Sequence, residues 1–153
     1  MAKKKPRSGG VIVLEQDLVT SPAFTTLTGK SIHVLLNFMG KRQMKKLSHP
    51  RRNEWTITNN GYITYSYAEA EKQGIARSSF MRALDQLVEY GFLDVAVPGT
   101  GLYRSKSRYA LSDRWKLWGT DQYQEASRPR SSQARGFRPG HPHYPAAGTH
   151  GDL

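Results

Sequence analysis

Cysteine is absent from this 153-residue chain, and no apolar run approaches the ~20 residues of a membrane-spanning helix. Without cysteine the protein has no disulfide framework, no thiolate zinc site and no thiol nucleophile. The basic N-terminus lacks the apolar core of a signal peptide. We therefore expect a cytoplasmic protein with no membrane partner.

Catalytic motifs are absent as well. The sequence contains no Walker loop, no HExxH, no GxSxG and no pair of carboxylates at a spacing typical of catalysis. We expect no enzymatic activity, no cofactor and no metal site. His141-Pro142-His143 followed by Tyr144 resembles the metal-binding and nucleophilic residues of rolling-circle nickases. Its Pro- and Gly-rich surroundings predict no strand to carry it, and a solvated tail is the better interpretation.

Positive charge is what the chain has in excess. Lys and Arg number 23 against 12 Asp and Glu, which gives a net charge of +11. Such an excess concentrates polyanions near the protein and favours binding to nucleic acid. The basic side chains are clustered in an N-terminal arm, in residues 41–52, in residues 104–108 and in the C-terminal tail. A solvated basic surface without a partner is the alternative explanation.

Composition divides the chain into three parts. Residues 1–10 are Lys-rich and predict a disordered basic arm, and residues 121–153 predict a disordered tail rich in Pro, Gly, Arg and His. Residues 11–120 carry the apolar periodicity and form the single expected domain. Within it we expect a helix start at Ser21-Pro22, a helix from about Thr28 to about Lys46, and a β-hairpin of residues 55–58 and 62–65.

Residues 66–120 have the most informative pattern. Ser66 and Glu69 form a capping box at the start of a short helix that ends near Gly74, and a second helix follows over about residues 77–90. Gly91 suits the residue after that helix, and residues 92–97 and 108–111 are strand-like on either side of a Gly-rich break. Residues 112–120 predict a last short helix or turn that covers the core.

The segment Gly74-Ile75-Ala76-Arg77-Ser78-Ser79-Phe80, with residues 82–84 and 87–93 after it, resembles the turn, recognition helix and first wing strand of the winged helix-turn-helix superfamily. Residues 109–111 resemble the returning strand. The likeness is closest to small bacterial, plasmid and phage proteins related to replication initiators and transcription regulators. It implies an α+β fold, a winged helix-turn-helix with an extra N-terminal β-hairpin and disordered tails. Relatives usually have Ser or Thr where Ala76 stands, so Ser78 is an alternative helix cap.

The function expected from this resemblance and the charge is sequence-specific binding of duplex DNA, as a transcription regulator or a replication-initiator-type protein. In the recognition helix, side chains off the apolar stripe would contact bases, because Arg pairs with guanine and Gln with adenine. These are Arg77, Ser78, Ser79, Arg82 and Gln86. In the wing, about residues 98–108, the candidates are Thr100, Tyr103, Arg104, Lys106 and Arg108. In the N-terminal arm they are Lys3, Lys4, Lys5 and Arg7, which would contact phosphates or a minor groove.

Two other functions remain open at this point. The same fold could bind RNA or single-stranded nucleic acid, with Trp55, Trp115 and Trp118 stacking on bases, although we assign these tryptophans to the core. The helix-turn-helix could instead dock a protein partner, as an adaptor in a phage or defence complex. The sequence is also compatible with a homodimer.

Overall fold

The computed structural model describes residues 10–49, 51–99 and 106–129. Within these residues the chain forms five α-helices, two small antiparallel sheets and one 3₁₀ helix, so the fold is α+β. The elements are α1 (Gln16–Thr20), α2 (Pro22–Thr26), α3 (Gly29–Gly40), β1 (Met44–Lys46), β2 (Trp55–Ile57), α4 (Tyr67–Lys72), α5 (Arg77–Glu89), β3 (Leu93–Val97), β4 (Arg108–Leu111) and the 3₁₀ helix (Arg114–Leu117). None of these helices has both the length and the apolar character that a bilayer crossing requires.

The helix start at Ser21-Pro22 is confirmed. The Ser21 hydroxyl accepts a hydrogen bond from the Phe24 N–H, and Pro22 occupies the first helical position, where its missing N–H costs nothing. The single-turn helix α1 was not predicted from the sequence. Its Glu15 N-cap makes no side-chain bond, and Leu18 is its one buried residue, so no local signal marks it.

Helix α3 ends at Gly40, and its predicted extension to Lys46 is wrong. The side chain of Asn59 holds the exit, since its Nδ2 donates to the Lys41 carbonyl and its Oδ1 accepts from the Gln43 N–H, both at 2.9 Å. The chain then turns into β1. Lys46 therefore lies on a strand and not in the last turn of a helix.

The predicted hairpin of residues 55–58 and 62–65 is also wrong, although an additional hairpin does form. Strand β2 pairs with β1, in the register Met44↔Ile57 and Lys46↔Trp55. After the turn at residues 58–61 the chain runs to the second sheet, which is formed by β3 and β4. There Ile63 forms an isolated antiparallel bridge with Tyr109 of β4. Burial of Ile63 accounts for this choice of partner. Residues 11–14 are β-prone, and their sequence predicts either an edge strand or packing on the core. They form no strand, and Leu14 packs against the core.

An aromatic core lies between α3 and α5. The rings of Phe38 and Phe80, both fully buried, flank the ring of Tyr65 at centroid distances of 5.1 and 4.7 Å. Tyr109 of β4 packs on Phe38 from the other side, and burial raises the pKa of its phenol. Close packing of these large rings against the buried side of α5 fixes the orientation of the helix, and therefore the direction of its exposed face.

The second sheet and the 3₁₀ helix follow the prediction closely. Strands β3 and β4 pair in antiparallel, with a register shift between Val95 and Val97. Trp115 is buried and stacks on Phe92 at 6.0 Å, so the 3₁₀ helix covers the core as expected. Contacts with the domain continue beyond residue 120, where composition predicts its end. Arg128 Nε donates to the Asp85 carboxylate of α5 at 2.8 Å.

Candidate nucleic-acid interface

The connection between α4 and α5 is fixed by backbone geometry at Gly74. This glycine has a φ of +79°, and the Ile75 N–H reaches back to the Ala70 carbonyl at 2.9 Å. Gly74 and Ile75 thus form a Schellman motif, which ends α4 and turns the chain sharply. Ile75 is fully buried, so the turn is anchored in the core. Helix α5 begins two residues later, at Arg77.

The predicted capping box at the start of α4 is half formed. The Ser66 hydroxyl accepts from the Glu69 N–H at 3.1 Å, as predicted. The Glu69 carboxylate, however, pairs with the ammonium group of Lys41, the C-cap residue of α3. It therefore ties α4 to the end of α3 instead of closing the box.

The first turn of α5 has no side-chain cap. Ala76 is the N-cap residue, with an extended backbone and no side-chain bond to the helix, so the alternative start at Ser78 is not adopted. Among the described residues, no side chain caps the amide groups of the first turn, which form the positive end of the helix dipole. Such an end attracts anions, and phosphate groups are a common example.

The exposed face of α5 begins with basic and small polar side chains. Ser78 and Arg82 are both exposed and, at 3.6 residues per turn, lie within about 40° of each other around the axis. Ser79 is half-buried at the side of this face, and Met81 is 40% exposed on its other side. The face therefore combines a hydrogen-bonding arginine with short side chains that leave room for a partner to approach closely.

Arg77 lies at the edge of this face and is oriented by an aromatic ring. Its guanidinium carbon stands 4.6 Å from the ring centroid of Tyr67, and that ring forms a T-shaped pair with Phe80 at a centroid distance of 5.4 Å. A cation–π contact of this kind restricts the arginine without neutralising it. This role of Tyr67 was not predicted from the sequence, where its only signal is an aromatic residue directly after the Ser66 cap.

Charge changes sign along α5. Arg77 and Arg82 stand in its first half, and Asp85 and Glu89 in its second half. The helix dipole favours the reverse order by ~0.3–1 kcal/mol per charge, so the arrangement does not serve helix stability. The Asp85 carboxylate is held by Arg128; burial alone would lower the pKa of this arginine, but its bonds to Asp85 and Tyr67 raise it. Because Asp85 pairs with Arg128, its negative charge is partly neutralised beside the basic first half of α5.

Gln86, predicted to contact bases, is already engaged within the fold. Its Oε1 accepts hydrogen bonds from the Thr28 N–H at 3.1 Å and from the Thr28 hydroxyl at 3.3 Å. Thr28 is the N-cap of α3. Gln86 therefore joins the start of α3 to the middle of α5, and we do not include it in the proposed interface.

The β3–β4 hairpin carries two of the residues predicted for the wing. Lys106 and Arg108 are both exposed, and the Arg108 guanidinium lies 5.5 Å from the ring centroid of Tyr62, which is 68% exposed. Thr100, Tyr103 and Arg104 lie outside the described residues, as do Lys3, Lys4, Lys5 and Arg7 of the arm.

The three tryptophans have different environments. Trp115 is buried, and Trp118 packs on Tyr90 at a centroid distance of 4.8 Å, as expected of core residues. The assignment of Trp55 to the core is wrong, because 57% of this residue is exposed on β2. A short strand with few apolar neighbours could have indicated this exposure.

Comparisons with known proteins add no information on this candidate site. No protein-family model, no curated protein and no solved structure matches this chain. Among the residues that the structure describes, no group of three His, Asp or Glu side chains is placed to hold a metal ion.

Proposed function

We propose that this protein is a winged helix-turn-helix protein that binds duplex DNA at a specific sequence, with α5 as its recognition helix and the β3–β4 hairpin as its wing. The observation that carries the proposal is the first half of α5. There a rigidly mounted helix presents two exposed arginines, an uncapped positive end and no free acid. This role suits a transcription regulator or a replication-initiator-type protein.

The dimensions of α5 suit a major groove. A helix with its side chains is ~10–12 Å across, and the groove of B-DNA is ~12 Å wide. The rise between Arg77 and Arg82 is about 7.5 Å along the axis, roughly two base-pair steps. Arg82, at the centre of the exposed face, would pair with a guanine edge. Arg77 and the open amides of the first turn would reach a phosphate or an adjacent base.

The wing would contribute affinity without sequence preference. Lys106 and Arg108 stand on the exposed side of the β3–β4 hairpin and would contact phosphates beside the groove. Each phosphate contact releases counterions, so it appears in the salt dependence of binding.

Salt dependence tests the role of the wing. We expect Lys106→Ala and Arg108→Ala each to weaken binding to every duplex sequence, and to lower the slope of log K against log salt by about 0.9. Lys116→Ala is the control, since Lys116 is an exposed cation on the 3₁₀ helix beyond the far end of α5. Its slope should equal that of the unmodified protein. If the control and the wing variants lose the same slope, the contribution of charge is diffuse and the wing has no defined contact.

The two other functions make different predictions in the same assay. A protein adaptor would bind duplexes weakly and without a preferred sequence, and the wing variants would leave its partner binding unchanged. An RNA or single-strand binder would prefer those ligands over any duplex at fixed salt.

A further inference from the structure

The hairpin β1–β2, described over residues 44–49 and 51–57, is an exposed element, which we call the basic hairpin. None of its described residues belongs to the hydrophobic core. Its base is nevertheless well fixed, because the Thr58 N–H donates to the Gln43 carbonyl at 2.8 Å and Asn59 bonds to both Gln43 and Lys41. The basic hairpin therefore projects from an ordered attachment with both of its faces in solvent.

One face of the basic hairpin combines apolar and cationic side chains. Residues directly opposite each other in an antiparallel pair share a face, and so do alternate residues along a strand. The register therefore places Trp55 beside Lys46, and Met44 and Ile57 next to them on the same face. Both Trp55 and Met44 are exposed. A largely exposed indole thus lies on the same face of the hairpin as the side chain of Lys46.

The charge of the basic hairpin is strongly positive. Lys45, Lys46, Arg51 and Arg52 are all exposed, and the single acid, Glu54, is within 3.4 Å of Arg52. This charge complements a polyanion. The alternation of a cation with a flat aromatic ring matches a chain in which phosphates alternate with unstacked bases.

We propose that the basic hairpin binds single-stranded DNA, with a base stacked on Trp55 and phosphates held by Lys46 and Arg51. The bases of a duplex hide their ring faces in the stack, so an exposed indole can stack only on an unpaired base. This contact is separate from the duplex contact of α5 and does not depend on it. It gives the protein a means of holding a melted strand.

Two ligands of equal charge test the proposal. Oligo(dT) and an abasic deoxyribose-phosphate oligomer of the same length differ only in their bases, and fluorescence anisotropy of an end label measures the affinity of each. We expect the full chain to prefer oligo(dT). Trp55→Ala should lower the oligo(dT) affinity by about 5- to 150-fold, which is the contribution of one stacked base, and abolish the preference. Trp55→Phe should keep most of it.

The matched control is Leu117→Ala, which removes a similarly exposed apolar side chain from the 3₁₀ helix and should change neither affinity. Because Trp55 lies outside the core, Trp55→Ala should melt like the unmodified protein and should bind duplex DNA unchanged. An equal affinity for the two oligomers, or an unchanged oligo(dT) affinity in Trp55→Ala, would overturn the proposal. Tighter, Trp55-dependent binding of oligo(rU) would overturn the assignment to DNA. Loss of duplex binding alone would count only against the function proposed for α5.

Discussion

We expect Gly91→Ala to lower the free energy of unfolding by about 2–5 kcal/mol. Gly91 ends α5 in a Schellman motif, with a φ of +87° and a 2.9 Å bond from the Phe92 N–H to the Leu87 carbonyl. A Cβ at this position would lie 2.5 Å from the Trp115 N and 2.7 Å from the Arg114 carbonyl carbon. Because these atoms belong to the backbone, they cannot move aside cheaply.

Gly74→Ala separates the two causes of this loss. Gly74 ends α4 in the same motif with a φ of +79°, but a Cβ there would meet no atom within 4 Å. Alanine should therefore cost only the backbone strain, about 1–2 kcal/mol. Urea denaturation of both variants measures the difference. If the two substitutions cost the same, the close approach of the 3₁₀ helix to Gly91 is not a feature of the protein in solution.

The second large effect concerns recognition of bases. We expect Arg82→Ala to reduce the ratio of affinities for a selected and a scrambled duplex by about 5- to 150-fold, because a bidentate Arg–guanine pair contributes ~1–3 kcal/mol of discrimination. Arg77→Ala should reduce the ratio less, since Arg77 lies at the edge of the exposed face, against the Tyr67 ring. Sequence selection on random duplexes provides the selected site.

Arg82→Lys is the matched control for charge. Lysine keeps the positive charge but lacks the planar fork that pairs with two acceptors of guanine. The variant should keep the salt dependence of the unmodified protein and lose most of the discrimination. Discrimination that survives in both Arg82→Ala and Arg77→Ala would place sequence recognition elsewhere, and the protein-adaptor function would then become the better proposal.

The second half of the domain could be predicted from sequence because its boundaries depend on local signals. Ser66 caps α4, Gly74 and Gly91 end the two helices in left-handed conformations, and the apolar periodicity from Phe80 to Val88 marks the buried side of α5. Each of these signals acts within one or two turns of the chain. The bounds of β3 and β4 follow from the Gly-rich break between them.

The strand pairing of the first half could not be predicted in the same way because it depends on long-range contacts, although the local signal at Ser21-Pro22 did predict a helix start. Residues 55–57 suit a strand in either pairing, and the choice of β1 depends on Asn59 and on the burial of Ile63 next to β4. Pairing partners of this kind carry no local sequence signal.

Long-range contacts were also missed for Gln86 of α5 and for Arg128, which contacts α5 from the C-terminal segment. Their polar side chains look solvent-facing by helical spacing or composition, yet they bind Thr28 and Asp85. Sequence spacing thus identified Arg77, Ser78 and Arg82 as exposed side chains of α5, but not that Gln86 is engaged with Thr28.

We propose that the first half of α5 faces DNA, and the lack of cysteine allows a direct test of this contact. A single cysteine at Met81, between Arg77 and Arg82 on α5, can be labelled uniquely with a photo-crosslinker. Leu117→Cys supplies the control, because Leu117 is 43% exposed against 40% for Met81 but lies on the 3₁₀ helix. We expect the probe at residue 81 to crosslink to bases within the selected duplex site and the probe at residue 117 not to do so. Equal crosslinking from both positions, or crosslinking from residue 117 alone, would contradict it.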